Sequence, residues 1–210
     1  MLKLPSTIKT LESESEFRLK EKGSTFLSIS KPVENEAEAN TFLNLIRKKY
    51  YDATHHCYSY KFVDGQFKYS DDGEPNGAAG IRIYNAQNHF ELTNLVTVVV
   101  RYFGGTKLGV GPLGKAYYEA SLQNLNLSSI IEKQLYQHTE ISYQFDQSKT
   151  VHHIISKYSA LIHNSLYEPA PKIECLVPID HVKKINGEKD SLLQTGIHID
   201  LKESFEYIKK

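Results

Sequence analysis

Two glycine-rich segments carry the residues whose types and spacing are best suited to chemistry. The first, Asp71–Gly80, has the sequence DDGEPNGAAG, with carboxylates at Asp71, Asp72 and Glu74. Carboxylates this close together can bind a hard cation, transfer protons or pair with basic side chains. The spacing does not match an EF-hand, which needs a longer loop and a distal glutamate. Taken alone, an Asp-Gly and Glu-Pro run is usually a solvated turn.

The second segment, Arg101–Gly114, has the sequence RYFGGTKLGVGPLG and suggests an anion-binding loop. We predict a buried strand, a glycine-rich loop and a helix that begins at Pro112. Free N–H groups at a helix N-terminus stabilise anions, and glycines let a ligand approach the backbone closely. Lys107 adds a point charge, and Arg101 adds a planar fork. The predicted anion-binding residues are Arg101, Gly104, Gly105, Thr106, Lys107, Gly109 and Gly111.

This segment carries neither of the common nucleotide-binding signatures. The lysine is not followed by Ser or Thr as a P-loop requires, and the G-x-G-x-x-G fingerprint is absent. The alternative is a tight connection between strand and helix that needs its glycines only for packing.

Adjacent histidines at His55 and His56 are further candidates for proton transfer. Neighbouring residues of a strand point to opposite faces, so both cannot easily ligate one ion. The simpler alternative is one buried, hydrogen-bonded histidine and one exposed histidine. The candidate catalytic residues are therefore His55, His56, Asp71, Asp72 and Glu74.

The composition disfavours several classes of protein. The 25 basic and 25 acidic residues balance, which disfavours a strongly basic nucleic-acid domain but permits a local basic patch. The two cysteines form no metal-binding spacing and no disulfide framework, so we expect no metal and no cofactor. The N-terminus lacks an apolar signal core, and the longest apolar stretch is too short to span a bilayer. We therefore expect a cytoplasmic protein that does not engage a membrane.

Hydrophobic periodicity and turn signals predict two small α/β domains, residues 1–130 and 133–210. In the first, strands are predicted at 7–12, 16–20, 25–30, 57–62, 66–70 and 95–102, and helices at 34–50, 78–88 and 112–126. In the second, strands are predicted at 133–145, 166–168, 172–178 and 197–203. Helices capped by Ser148 and Asp180 should run to about His163 and to Gly196. This βαββαβ order predicts a ferredoxin-like domain and an α+β protein overall.

Several segments together resemble the YigZ/IMPACT family over residues 1–130. They are Lys22–Phe26, Ala53–Cys57, Asp71–Pro75, Gly77–Gly80 and Val98–Gly109. The sequence departs from the family pattern at Ala78, which replaces a threonine, and at Pro112 and Lys115, which replace a glycine and an arginine. A proline usual in the family shortly after Gly80 is also absent.

The resemblance implies domains similar to domains IV and V of elongation factor G. It also implies a regulatory binding protein of the translation apparatus. Its expected partners are RNA, the ribosome or a translation-linked protein, bound through the glycine-rich loops. One alternative is a hydrolase that acts on a phosphorylated or peptide substrate with a carboxylate, Arg, Lys and His site. Another is that the glycine-rich segments only hold a domain interface or an oligomer contact.

Overall fold

The computed structural model describes residues 4–210, which form a mixed α/β protein with two antiparallel sheets and five α-helices. The chain divides into two compact units. Unit 1 contains Leu4 and Ile8–Glu132, and unit 2 contains Pro5–Thr7 and Lys133–Lys210. No helix within residues 4–210 is long and apolar enough to cross a membrane.

Unit 1 is built on a five-stranded sheet in the order β2–β3–β6–β4–β5. The strands of this sheet are β2 (Ser15–Glu21), β3 (Ser24–Pro32), β4 (His55–Lys61), β5 (Phe67–Ser70) and β6 (Leu95–Tyr102). Strand β1 (Thr7–Leu11) belongs to the other sheet. The helices of unit 1 are α1 (Glu36–Lys49), α2 (Gly80–His89) and α3 (Val110–Leu127). The predicted strands and helices of this part are all present, with ends shifted by a few residues at most.

The central strand β6 is buried on both faces, which explains its continuous apolar sequence. Val96, Val98 and Val100 pack in the same cluster as Phe42 and Ile46 of α1. Val99 packs in a second cluster with residues of α2 and α3. Since side chains alternate along a strand, Arg101 lies on the α2 and α3 face. The sheet is therefore covered by α1 on one face and by α2 and α3 on the other.

Helix α1 shows how the sequence sets its own boundaries. Asn35 is the N-cap, and its side chain accepts a hydrogen bond of 3.0 Å from the Glu38 backbone N–H. Acidic residues occupy the first turn, and three basic residues at Arg47–Lys49 occupy the last. The acidic residues thus lie at the positive end of the helix dipole and the basic residues at its negative end, as the sequence predicted.

Unit 2 follows the predicted βαββαβ succession, with sheet order β10–β7–β9–β8. Its elements are β7 (Ile130–Tyr143), a short 3-10 helix (Phe145–Gln147), α4 (Ser148–Lys157), β8 (Leu161–Leu166), β9 (Lys172–Pro178), α5 (Ile179–Gln194) and β10 (Ile197–Lys209). Alternate residues such as Ile141, Ile173 and Ile199 pack with α4 and α5 in one core.

Five local predictions for unit 2 are wrong. Helix α4 ends at Lys157 rather than near His163, because Ser159 adopts a positive φ of 51° and the chain turns. The strand predicted at 166–168 instead occupies Leu161–Leu166. Ser148 and Asp180 lie inside their helices, whose N-caps are Gln147 and Pro178, and β10 continues to Lys209.

Candidate functional site

The two glycine-rich segments meet at one end of the unit 1 sheet. Arg101 of β6 lies opposite Phe26 of β3 and opposite His55 of β4, so these three residues form a row across three strands. Directly opposed residues of antiparallel strands share a face. The loop that contains Glu74 and the loop that begins at Phe103 both adjoin this row.

Arg101 is buried and paired with an acidic residue of the other segment. Its Nη1 lies 2.5 Å from Glu74 Oε1, and the two side chains are only 6% and 4% exposed. The guanidinium carbon lies 5.3 Å and 5.6 Å from the ring centres of Phe26 and Phe103. Its Nη2 lies 3.5 Å from Ser24 Oγ, while Nε has no hydrogen-bond partner among the described residues. Arg101 Nη1 is therefore paired with a carboxylate of the other glycine-rich segment.

Glu74 has two further neighbours. The Tyr117 hydroxyl donates a 2.7 Å hydrogen bond to Glu74 Oε1, and His55 Nε2 lies 3.8 Å from Oε2. Burial raises the pKa of the Tyr117 hydroxyl, as do the adjacent Cys57 and Glu74. Tyr117 therefore stays protonated and acts as a hydrogen-bond donor to the carboxylate.

Cys57 lies beneath this group as a neutral, unreactive thiol. Its Sγ donates to the Asp71 carbonyl at 3.0 Å and lies 3.3 Å from the Tyr117 hydroxyl. Burial, the largest cause, raises the pKa of the thiol well above its ordinary value. Since the thiolate is the nucleophilic form, Cys57 is unsuited to covalent catalysis.

Asp71 fixes the start of helix α2. Its carboxylate accepts hydrogen bonds of 2.9, 2.9 and 2.8 Å from the backbone N–H groups of Gly77, Ala79 and Gly80. The N-cap residue Ala79 has no oxygen with which to do this itself. A Cβ at Gly80 would lie 2.8 Å from the backbone of Ser70, so glycine permits this close packing. Asp71 therefore satisfies N–H groups that a helix start leaves unpaired.

Asp72 and the two histidines tie the acidic loop to β4. The Asp72 carboxylate accepts a 2.6 Å hydrogen bond from the His56 backbone N–H, and Arg47 Nη2 lies 3.8 Å away. His55 Nδ1 donates to the Asp72 carbonyl at 2.8 Å, and His56 Nε2 donates to the Tyr50 carbonyl at 2.9 Å. Both rings are part-buried, so the prediction of one buried and one exposed histidine is wrong.

The second glycine-rich loop is held by a close backbone contact. A Cβ at Gly104 would lie 1.9 Å from the carbonyl carbon of Gly23, a distance that no side chain could tolerate. The Gly104 N–H donates to Ser24 Oγ at 3.2 Å, and the Phe103 N–H donates to Thr54 Oγ1 at 3.0 Å. These contacts fix the loop where it leaves the sheet.

Beyond Gly104, the loop presents an exposed face that we call the loop surface. It comprises Phe103, Gly105, Thr106, Lys107, Val110 and Gly111, all of them exposed. Phe103 is 47% exposed. Helix α3 starts here at Val110, with Gly109 as its N-cap, no capping side chain and no acidic residue in its first turn. No hydrogen bond or ion pair within residues 4–210 engages Lys107.

The structure thus separates the predicted site residues into two groups. His55, Glu74 and Arg101 converge, and Asp71, Asp72 and His56 bind backbone groups nearby. Lys107 and the loop glycines make no described contact with them. Within residues 4–210, no group of three or more His, Cys, Asp and Glu side chains is arranged to hold a metal ion.

Two residues that contact this group, Tyr117 and Ser24, were not identified from the sequence. Tyr117 lies mid-helix, 43 residues from Glu74, and carries no local motif. Ser24 reaches Gly104 across 80 residues. The only sequence signal for Ser24 was its place in the Lys22–Phe26 segment.

Comparisons with known proteins agree with the resemblance seen in the sequence. A family model described as the Impact N-terminal domain matches residues 22–125. An IMPACT family member from Haemophilus influenzae is 34% identical over 148 residues, covering 67% of this chain and 70% of that protein. YigZ from Escherichia coli is 27% identical over 173 residues, covering 80% of this chain and 84% of its own length.

Two further comparisons show how much of the chain is shared with known proteins. YvyE from Bacillus subtilis is 34% identical over 138 residues, and the match spans 64% of each chain, just under two thirds of that relative. A crystal structure of a hypothetical protein superimposes with a TM-score of 0.69 at 23% identity, covering 96% of this chain and all of that one. The latter likeness shows that the two chains share a fold.

Proposed function

Because the chain belongs to the IMPACT family, we propose that it is a regulatory binding protein of the translation apparatus that contacts single-stranded RNA through the loop surface. The family resemblance implies domains similar to those of elongation factor G, which supports a role in translation.

The observation that carries the proposal is the combination of side chains left free on the loop surface. Phe103 offers an exposed aromatic face, and stacking of a base on such a ring is worth about 1–3 kcal/mol. Lys107 offers a cation that has no hydrogen-bond or ion-pair partner among residues 4–210. The start of α3 at Val110 offers backbone N–H groups that favour a phosphate. Base stacking beside phosphate contacts is the usual chemistry of single-strand recognition.

The buried contacts beneath the loop surface support binding by holding it in one conformation. Arg101 packs against Phe103 from below and is itself fixed by Glu74. The contact between Gly104 and Gly23 fixes the loop backbone. A loop that is already ordered loses less conformational entropy when it binds a ligand.

The small number of positive charges on the loop surface determines how tightly we expect RNA to bind. With one free lysine and a helix start, the surface neutralises only one or two phosphates. For single strands the affinity then falls with salt with a logarithmic slope of about −0.7 per phosphate, far shallower than for a basic nucleic-acid domain. We therefore expect weak binding that salt reduces moderately.

Fluorescence anisotropy with a short labelled single-stranded RNA across a salt series tests the proposal. Phe103→Ala should weaken binding roughly tenfold to a hundredfold, through loss of stacking. Lys107→Gln should weaken it and make the salt slope shallower by about 0.7. The matched control is Lys48→Gln, which changes an exposed lysine on α1, on the other face of the sheet.

Absence of binding at low salt, or binding indifferent to both loop variants, would contradict the RNA proposal. Ribosome co-sedimentation of the wild-type chain without RNA affinity would instead indicate a protein partner.

The hydrolase alternative has weaker support in the contacts. Asp71 and Asp72 already accept backbone hydrogen bonds, and Glu74 is buried against Arg101 and Tyr117. The buried arrangement that could transfer a proton is His55 Nε2 at 3.8 Å from Glu74 Oε2. Phosphatase and peptidase assays of the wild-type chain beside His55→Gln would test it, since only an activity lost in that variant would favour an enzyme.

A further inference from the structure

Strand β8 is an edge of the unit 2 sheet. It pairs with β9 on one side and with no other described strand. Its apolar side chains are unusually open, with Leu161, Ile162 and Leu166 exposed by 43%, 48% and 44%. A free edge of this kind offers unpaired backbone groups to another strand.

The distribution of charge singles out this edge. The sequence of β8, LIHNSL, contains no Lys, Arg, Asp or Glu, unlike each of the other nine described strands. The opposite edge strand, β10, carries several charges, including Asp200, Lys202 and Glu206. Charged side chains are the usual protection of an edge against pairing. The sheet therefore has one protected edge and one unprotected edge.

We infer that β8 pairs antiparallel with β8 of a second copy of this chain, about a two-fold axis at Asn164. His163 forms a bulge between Ile162 and Asn164 and is left out of the pairing. This register places Leu161 opposite Leu166 of the other copy, and Ile162 opposite Ser165. An uncharged strand meets no like-charge repulsion when it pairs with itself.

The faces of the strand agree with that register. Leu161 and Leu166 lie opposite Leu176 and Lys172 of β9, which alternate with the core residues of that strand, so both leucines lie on the face away from the core. Ile162 and Ser165 lie opposite the core residues Cys175 and Ile173, so both lie on the core face. Each proposed pair therefore joins residues of the same face, as antiparallel pairing requires. A register shift by one residue would break this match.

The size of the contact predicts a weak dimer. Five paired residues span only about 17 Å of strand. Stable interfaces bury roughly 1,200–2,000 Å² in total, which one short strand pair with two leucine contacts does not reach. We therefore expect a reversible equilibrium that shifts toward dimer as the protein concentration rises.

Sedimentation velocity of the full chain over a concentration series, with three variants, tests both the contact and its register. Leu161→Lys and Leu166→Glu should each abolish the dimer, because a charge then faces a leucine. The double variant should dimerise again, because each introduced lysine faces an introduced glutamate of the other copy. The two positions are about 17 Å apart in one strand, so they cannot pair within one chain.

Mixing the two single variants should also restore a dimer, since one leucine pair and one opposite-charge pair then form. Leu193→Lys, which changes an exposed leucine on α5, is the matched control and should leave the equilibrium unchanged. A wild-type chain that stays monomeric at all concentrations would overturn the inference. So would a dimer that survives both single variants, or single variants whose effects the double variant does not reverse.

Discussion

Removal of either partner of the Glu74–Arg101 pair should destabilise unit 1 by about 3–5 kcal/mol, the usual cost of leaving a buried charge unpaired. Both side chains are nearly inaccessible, so water cannot replace the missing partner. In Glu74→Gln the Arg101 cation loses its carboxylate and its stacking rings do not compensate. In Arg101→Met the carboxylate keeps only the Tyr117 hydroxyl as a hydrogen-bond donor.

The double variant Glu74→Gln with Arg101→Met should cost clearly less than the sum of the two single variants. Residues in direct contact commonly show coupling energies of about 0.5–3 kcal/mol, and a buried ion pair should lie in the upper part of that range. The exposed pair of Lys68 and Glu36, 3.4 Å apart, is the matched control. Lys68→Met should cost much less than either buried variant, because water screens an exposed ion pair.

Hydrogen exchange read by mass spectrometry is the suitable assay, because it reports the opening free energy of each unit by itself. The amides of β6 and α3 should lose protection in the single variants, while those of β9 and α5 should not change. If each single variant costs less than about 1 kcal/mol and the costs simply add, the pair does not hold the two loops together and the argument fails.

Three further predictions concern single positions. Asp71→Asn should cost about 1–3 kcal/mol, because an amide is a poorer acceptor for three N–H groups; amide exchange in α2 measures the cost. Gly104→Ala should prevent correct folding through its backbone clash, whereas Gly105→Ala, with open space around it but a φ of 83°, should cost about 1 kcal/mol; thermal melts compare them. Burial raises the pKa of the Cys175 thiol from 9.0 to about 11. The unfolded chain therefore loses this proton first, stability falls between those pH values, and urea titrations of Cys175→Ala should show a smaller decline.

Apolar spacing predicted most helices and strands, but it gave the wrong end for α4, where the apolar residues of the following strand continue the helical spacing. Val151, Ile154, Ile155 and Tyr158 have helical spacing, and Leu161 and Ile162 continue it, so the sequence predicted a helix through to His163. The structure stops that helix by a positive φ at Ser159, a residue type that gives no strong stop signal. Periodicity cannot show such a break, since it reports apolar spacing and not backbone conformation.

The site shows a different limit. The sequence placed Asp71 and Glu74 in one glycine-rich segment and Arg101 in the other, and it offered pairing with basic residues as one of three roles for the carboxylates. The choice between these roles depends on contacts such as that of Tyr117 with Glu74, which join residues far apart in the chain. It also depends on burial, which local composition does not give.

The internal needs of the fold explain why a segment so rich in carboxylates is not an open acidic site. Helix α2 begins at a residue without a capping side chain, so its N–H groups require the Asp71 carboxylate. The sheet ends in a buried arginine, so its charge requires Glu74. The residues that serve the fold and those left for a ligand are therefore different sets within the same loops. Changes at Asp71, Glu74 or Arg101 should lower stability first, whereas a change at Lys107 should lower binding and leave the opening free energy of unit 1 unchanged. Phe103→Ala should lower binding and also remove the contact of its ring with Arg101.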